Sequence, residues 1–497
     1  MPKTAKLYYG DNLDVLRRKI RDETIDLCYI DPPFNSKRNY NQIYNNVGGE
    51  DRAQAQAFTD TWTWDDHAIS GFSEILANDT GRFPAQTVDL ISGLLKVLKK
   101  GSLLAYLVSM TLRITEIRRV LKATGSFFLH CDPTASHYLK LVLDTIFVAN
   151  GGTYRNEIIW CYTGPGSPGM RQFMRKHDVI FWYTKSETWQ FNRDAVRVAH
   201  SGKTKGNYKK GLIGSGFAEA EHKIHEAGKV PEDWWEMAIA PRGKEYMGYP
   251  TQKPEKLLTR IIEAATNEGD TVLDAYCGCG TTVVVAEAAN RNWIGIDITY
   301  QSIALILRRL EGKYGEEMLQ GIILDGIPQD IESARALALK RDDRLRKEFE
   351  KWAVMTYTNN RAIINDKKGG DKGIDGTSFF LTGETNNAKI VFQVKSGTVG
   401  RGDISKFNND RVREGAELGV FLTLNPPTQG MTEEAKAAGR YEHKLMGRFY
   451  ERIAIVTISD VVEAEKRLEI PMSLEVIAEA ERARQPKQLD LLLGPAK

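Results

Sequence analysis

The sequence predicts an α/β protein: a doubly wound, Rossmann-like sheet followed by a smaller α/β unit. Three observations carry this. The apolar run Ile25 to Ile30 reads as a buried parallel strand, which the chain leaves through Asp31-Pro32-Pro33-Phe34, where two prolines forbid more sheet or helix. Far downstream a second apolar strand ending at Asp274 runs into Ala275-Tyr276-Cys277-Gly278-Cys279-Gly280 and then a helix near Thr281. In the last third a helix and two strands repeat the alternation, with Asp375 before the first strand and Gln393-Val394-Lys395 on the second.

Composition bounds the rest. A chain of 497 residues calls for two or three domains. A net charge of +3 excludes a uniformly cationic nucleic-acid coat but leaves room for local basic patches. Five cysteines (Cys28, Cys131, Cys161, Cys277, Cys279) show neither a disulfide framework nor zinc spacing, so reduced thiols are expected. The first residues carry no apolar signal region and no run is long enough to span a membrane. The expectation is a cytoplasmic protein of prokaryotic type.

The elements follow in order. Lys6 to Tyr9 reads as a strand, ended by Gly10-Asp11-Asn12, where Asp11 or Asn12 caps a helix with Leu13, Val15 and Leu16 on its apolar face. After the strand to Ile30, residues 36–80 are polar and read as a surface loop anchored by Trp62 and Trp64. Helices are expected over 85–99 and 103–123, the second closed by Thr124-Gly125 as a C-cap. Ser126 to His130 is a strand left through Cys131-Asp132-Pro133, Ser136 to Phe147 a helix, and 156–160 and 179–183 are strands. From about 186 to 246 the periodicity fades. Lys203, Lys205, Lys209, Lys210 and Arg242 are interleaved there with His200, Tyr208, Trp234 and Trp235, a mixture suited to phosphates and bases. Pro254 then opens a helix to about Asn267, and strands follow at 271–274 and 292–296.

Two turns carry chemistry. In open α/β sheets ligands bind at the carboxyl ends of strands. A carboxylate, free carbonyls and an aromatic ring at such an end suit a flat base with an exocyclic amino group: the Phe34 ring stacks, and Asp31 and the Pro32 carbonyl accept the amino hydrogens. An ordinary Pro-Pro turn reads alike in isolation. The second turn decides between them. Strand, Asp274, Gly278-x-Gly280, helix, strand and Asp297 together point to a nucleoside cofactor, with Asp297 placed for ribose hydroxyls. The third glycine of a pyrophosphate fingerprint is missing, which favours a nucleoside without phosphates such as S-adenosylmethionine.

In this order and spacing, Gly10-Asp11, Asp31 to Phe34, Ser126 to Asp132, Thr251-Gln252-Lys253-Pro254, Asp274 to Gly280 and Asp297 resemble the amino-group DNA methyltransferases of the β class, over roughly residues 6 to 315. The resemblance implies a seven-stranded doubly wound core and a base held by Asp31 to Phe34. It places Asp274, Tyr276, Gly278 and Gly280 along the methionine part of the cofactor, Asp297 at its ribose and Asp11 near its adenine. Thr251 and Lys253 lie beside the methionine moiety, and residues 186–246 stand where the family has its target-recognition region. Asp-Pro-Pro-Phe, in place of the Ser-Pro-Pro-Tyr more usual for cytosine enzymes, favours adenine N6 over cytosine N4.

Residues 327–345 read as a charged helical linker, and 346 onward as a second domain with Phe349 and Trp352 facing inward. A period of two puts Gln393 and Lys395 on one face, where with Asp375 they meet at one point. A carboxylate and an amide suit Mg²⁺, and a lysine suits activation of water. This stretch resembles the Mrr-like branch of the PD-(D/E)xK restriction nucleases over about 340 to 460. Glu350 stands as that branch's helix carboxylate and Gln393 replaces the usual acid. The resemblance implies Asp375 and Glu350 as Mg²⁺ ligands. The domains expected are 1–326, a linker to 345, 346–465, and a C-terminal helix and tail over 466–497. The combined reading is a DNA methyltransferase fused to a nuclease-like domain, with double-stranded DNA as partner, a second copy of the chain as a further candidate, and no membrane. The alternatives are a methyltransferase whose C-terminal domain only binds DNA, and a nucleic-acid-binding protein without catalysis.

Overall fold

Alternating apolar residues on both faces of β2 set the architecture, because such a strand must be covered on both sides. The structure is a computed structural model and describes residues 3–33, 62–163, 171–200, 202, 225–240, 245–246, 251–339, 343–365, 373–382, 387–444, 446–470 and 472. The first sheet is built from β1 (Ala5–Tyr9), α1 (Asn12–Lys19), β2 (Ile25–Ile30), α2 (Asp66–Ala77), α3 (Ala85–Leu98), α4 (Ser102–Val120), β3 (Leu121–Cys131), α5 (Ser136–Ile146), β4 (Thr153–Cys161), β5 (His177–Thr184) and β6 (Trp234–Glu236). It is completed by α6 (Glu255–Ala265), β7 (Thr271–Asp274), α7 (Thr281–Ala288), β8 (Asn292–Asp297), α8 (Tyr300–Tyr314), α9 (Glu317–Gln320) and β9 (Ile322–Asp325).

The strand order is β6-β4-β5-β3-β2-β7-β8-β1-β9. Only β5 runs against its neighbours; the other neighbouring pairs are parallel. The sheet has nine strands rather than seven, with the three-residue β6 and four-residue β9 at its edges. Leu27 and Tyr29 of β2 enter one core layer with α6, α7 and α8, while Ile25, Cys28 and Ile30 enter the other with α1 to α5. The sheet is therefore doubly wound, as expected.

Two expectations fail in this half. α4 ends at Val120 and β3 starts at once, so Thr124-Gly125 caps nothing. Gly125 lies inside β3, where the register with β2 shifts between Ile25 and Leu27; a Cβ there would stand 2.9 Å from the Lys122 carbonyl oxygen and 3.1 Å from that of Ile25. The glycine serves an irregular close approach of strands, not a helix end. The supposed loop of 36–80 contains α2: Asp65 caps it through the Ala68 N–H at 3.0 Å, and Ala68, Gly71 and Ile75 are buried at helical spacing. Trp62 packs on Tyr106 and Trp64 on Phe72, as anchors. Residues 36–61 lie outside the described residues, as do Lys203, Lys205, Tyr208, Lys209, Lys210 and Arg242.

The stretch read as a linker holds α10 (Ile331–Ala338), closed by an Asp330–Ser333 capping box and burying Ala334, Leu337 and Ala338. It is a packed element, not a bare spacer. Then come α11 (Asp343–Tyr357), β10 (Ile363–Ile364), β11 (Gly376–Leu381), β12 (Asn387–Lys395), α12 (Arg401–Arg413), β13 (Leu418–Thr423), α13 (Gln429–Ala437), β14 (Arg440–His443), β15 (Arg448–Glu451), β16 (Ile453–Thr457) and α14 (Ile458–Val462). The second sheet is ordered β10-β11-β12-β13-β16, antiparallel up to β12 and parallel beyond. Phe349 and Trp352 are buried, and their apolar cluster continues into the α8 side of the first sheet. Residues 473–497 lie outside the described residues.

Candidate active sites

Strand register brings the separated turns together. Tyr29 of β2 pairs with Asp274 of β7, Asp274 with Gly295 of β8, and Asp297 at the end of β8 with Tyr9 of β1. Asp31, Asp274, Asp297 and Gly10-Asp11 therefore occupy the carboxyl ends of four adjacent strands. Asp274 is buried and accepts the Tyr276 N–H at 3.0 Å. Burial pushes it up to about 7, with Asp31 and Asp297 adding like charge and the Thr282 hydroxyl opposing. Burial likewise pushes Asp297 up to about 6, against hydrogen bonds from Thr299 and Gly278. The Gly278 N–H donates to Asp297 Oδ2 at 2.9 Å, tying one strand-end turn to the other. Gly278 and Gly280 have φ of +49° and +75°. At Gly280 a Cβ would stand 2.6 Å from Ile306 Cγ1, so this glycine admits α8 as well as turning the chain.

The ammonium of Lys253 is ion-paired with Asp31. Its backbone carbonyl accepts from Thr281 Oγ1 at 3.3 Å, so the 251–254 stretch touches both turns. Thr251 is exposed. Asp11 caps α1 through the Leu13 N–H at 2.9 Å and pairs with Arg113 at 2.8 Å. Pro32 is buried and Pro33 half-buried, and Phe34 lies outside the described residues. Three carboxylates on adjacent strand ends, of which Asp31 alone is ion-paired with Lys253, make an edge that fits a positively charged ligand, and a sulfonium with an α-ammonium is one.

Three groups at this edge have no signature in the sequence. Tyr29 OH lies 2.9 Å from His130 Nδ1, and His130 Nε2 lies 3.2 Å from Asp178 Oδ2, beneath the Asp31 turn. Burial opposes ionisation of Asp178, yet the His130 hydrogen bond and the Lys253 charge hold its carboxyl below the usual range. Arg113 donates to Asn12 Oδ1 at 2.6 Å, and Asn12 Nδ2 to the Ala275 carbonyl at 2.8 Å. Buried Arg309 reaches the Cys279 carbonyl at 3.1 Å and Glu255 at 2.7 Å. Each joins residues far apart in the chain, so no local pattern reveals it.

In the second sheet, Glu350, Asp375, Gln393 and Lys395 line one pocket of about 330 Å³, together with Lys347, Lys351, Lys406 and Asn365. Asp375 Oδ2 accepts the Val394 N–H at 2.7 Å, and Gln393 Nε2 donates to the Gly373 carbonyl. Gly373 has φ +77°, and a Cβ on it would stand 3.0 Å from Gln393 Nε2. Among the described residues no group of three or more His, Cys, Asp or Glu is placed to hold a metal. Two carboxylates beside lysines do fit Mg²⁺, which is commonly held by one or two carboxylates plus substrate phosphate and water. The extra lysines, unlike Lys395, sit on helices outside any recognisable motif. Of the basic and aromatic stretch, Trp234 is 58% exposed at the β6 edge, while Trp235 is buried with Arg260 over its ring.

The chain is similar to known proteins over two stretches. Residues 25–308 match a family described as DNA methylase, and residues 345–448 one described as restriction endonuclease. The chain is 32% identical over 247 residues to the DNA adenine methyltransferase YhdJ of Escherichia coli, covering 46% of this chain and 78% of that protein. It is 33% identical over 323 residues to the type II methyltransferase M2.DpnII of Streptococcus pneumoniae, covering 62% and 94%. The type II methyltransferase M.BglII of Bacillus subtilis is 31% identical over 217 residues, covering 42% of this chain and 58% of that protein. Among solved structures, the cytosine-N4-specific PvuII DNA methyltransferase aligns at 15% identity and a TM-score of 0.37, covering 65% and 95%.

Proposed function

The chain belongs to the DNA methylase family matched over residues 25–308, and on that premise we propose that it methylates adenine N6 in double-stranded DNA and cleaves DNA through its C-terminal domain. The observation that carries the first part is the meeting of Asp31, Asp274 and Asp297 at adjacent strand ends, with Lys253 on Asp31. The adenine choice is supported by the chain's own Asp-Pro-Pro-Phe turn and by one relative, YhdJ, that carries adenine in its name.

The chain's residues divide the work. Asp297, Asp274 and the Gly278 turn hold S-adenosylmethionine, which supplies an electrophilic methyl group on a sulfonium. The target base must leave the duplex, because its amine is otherwise paired. Asp31 and the Pro32 carbonyl accept the two amino hydrogens, which favours a pyramidal nitrogen and frees its lone pair. One N–C bond forms, one S–C bond breaks, and the amine sheds a proton to Asp31 or to water. Lys253 holds Asp31 by its charge, and Phe34 stacks on the base. Residues 186–246, with their basic and aromatic side chains, are assigned the reading of DNA.

In the nuclease-like pocket, Asp375 and Glu350 would hold Mg²⁺ and Lys395 would orient water toward a phosphodiester. The excess of lysines supports a phosphate ligand. The test is incubation of the protein with unmethylated plasmid, tritiated S-adenosylmethionine and Mg²⁺, with a gel in parallel. Label in DNA together with cleavage is the expected result. Label in intact DNA would reduce the C-terminal domain to DNA binding, and no label would overturn the methyltransferase reading.

A further inference from the structure

One buried carboxylate joins the two sites. Glu348 of α11 is buried, and its Oε2 accepts the backbone N–H of Tyr300 at 2.7 Å. Tyr300 opens α8 directly after Thr299, whose N–H and hydroxyl both donate to Asp297 Oδ1 at 2.9 Å. Through Oε1 the same Glu348 carboxylate holds the ammonium of Lys351 at 3.0 Å. Lys351 lines the nuclease pocket beside Glu350, Asp375 and Lys395. The Tyr300 side chain also reaches back to α11, its hydroxyl 3.2 Å from Thr356 Oγ1, with its ring edge-on to Tyr9 at the end of β1. A buried carboxylate is tolerated only where both oxygens are partnered. Here one partner comes from the cofactor turn and the other from the nuclease pocket.

We propose that Glu348 is a positioning residue that sets Lys351 in the nuclease pocket from an anchor on the cofactor turn of the methyltransferase sheet. The inference rests on the nuclease reading of that pocket. Without Glu348, Lys351 loses the carboxylate that fixes it from the first sheet, and its place among Lys347, Lys395, Lys406, Glu350 and Asp375 is no longer set from that side. The link runs both ways: whatever moves the Asp297–Tyr300 turn moves Lys351, and a ligand in the pocket alters cofactor affinity by the same factor.

Three variants of the full chain test this. Glu348→Gln keeps an acceptor for the Tyr300 N–H but loses the charge on Lys351; Glu348→Ala loses both; Glu348→Asp is the conservative control. On duplex DNA with Mg²⁺, the Gln variant is expected to lose about tenfold in kcat for cleavage with KM for DNA little changed, a coupling of the usual size between linked groups. The Asp variant recovers part of the loss. The Ala variant also binds S-adenosylhomocysteine several-fold more weakly. Cleavage at the wild-type rate by Gln and Ala variants overturns the proposal, and so does a loss that merely tracks a fall in melting temperature. If the wild type cleaves no DNA, the nuclease reading fails, and hydrogen exchange decides the link. Saturating S-adenosylhomocysteine is expected to slow exchange over residues 346–357 in the wild type and not in Glu348→Ala. Exchange unmoved by the ligand in the wild type overturns it.

Discussion

The cofactor edge of the first sheet and the pocket of the second are built alike and charged oppositely. Both sit where parallel strands end, at β2, β7 and β8 in one and at β12 in the other. The first gathers Asp31, Asp274 and Asp297, with Lys253 paired to Asp31. The second gathers Lys347, Lys351, Lys395 and Lys406 around Glu350 and Asp375. The fold supplies the same kind of edge twice, and the side chains give the two edges opposite charge. What the difference teaches is that function in α/β proteins is set by the charge balance at the strand ends, not by the sheet.

The largest test of this contrast is to silence each edge alone. Asp31→Ala is expected to lower methyl transfer by about 10³-fold or more, as loss of a group aimed at the reacting atom does, while S-adenosylmethionine binding measured by calorimetry persists. Lys395→Ala is expected to abolish cleavage on agarose gels while methyl transfer continues. Loss of both activities in either variant would break the comparison.

A pH series sharpens it. Asp274 and Asp297 lie at about 7 and about 6, above their ordinary 3.8. Groups raised in the fold favour the empty protein most below about pH 4, where the unfolded chain is also protonated, and that contribution is lost as pH rises through 6 to 7. A cationic ligand reverses the preference by favouring the ionised carboxylates. Affinity for S-adenosylmethionine is therefore expected to rise between pH 5.5 and 8 with release of protons, and Asp274→Asn to flatten the rise. Calorimetry in two buffers of different ionisation heat measures both.

The smallest effects concern two glycines, one that shapes the first edge and one that does not. Gly280→Ala puts a Cβ against Ile306 at φ +75° and is expected to cost about 2–3 kcal/mol. Gly312→Ala, in the open on α8, is expected to gain roughly 0.5–1 kcal/mol. Denaturant melts of the two variants separate a working glycine from an incidental one.

The strand-end residues were legible because their signals are local. An apolar run followed by Asp31-Pro32-Pro33, or by Asp274 and two glycines, is written in consecutive residues, and the period of two places Gln393 beside Lys395. What was not legible depends on distance or on exposure. The Lys253–Asp31 pair joins residues 222 apart, and the Tyr29–His130–Asp178 chain crosses three strands. α2 reads as loop in the sequence because it follows a long polar stretch that masks the three buried positions of the helix. Gly125 reads as a cap because a helix end and a strand irregularity ask the same of a glycine. Glu348 gave no sign, since a carboxylate two residues from Glu350 on a charged helix reads as solvated surface.

The most direct measurement is the identity of the modified base. Unmethylated DNA is incubated with the protein and S-adenosylmethionine carrying a deuterated methyl group, digested to nucleosides and weighed by mass spectrometry. N6-methyladenine bearing the deuterated methyl is the predicted product. Deuterated N4-methylcytosine would contradict the adenine assignment, and unlabelled DNA would contradict the account of the Asp31 edge altogether.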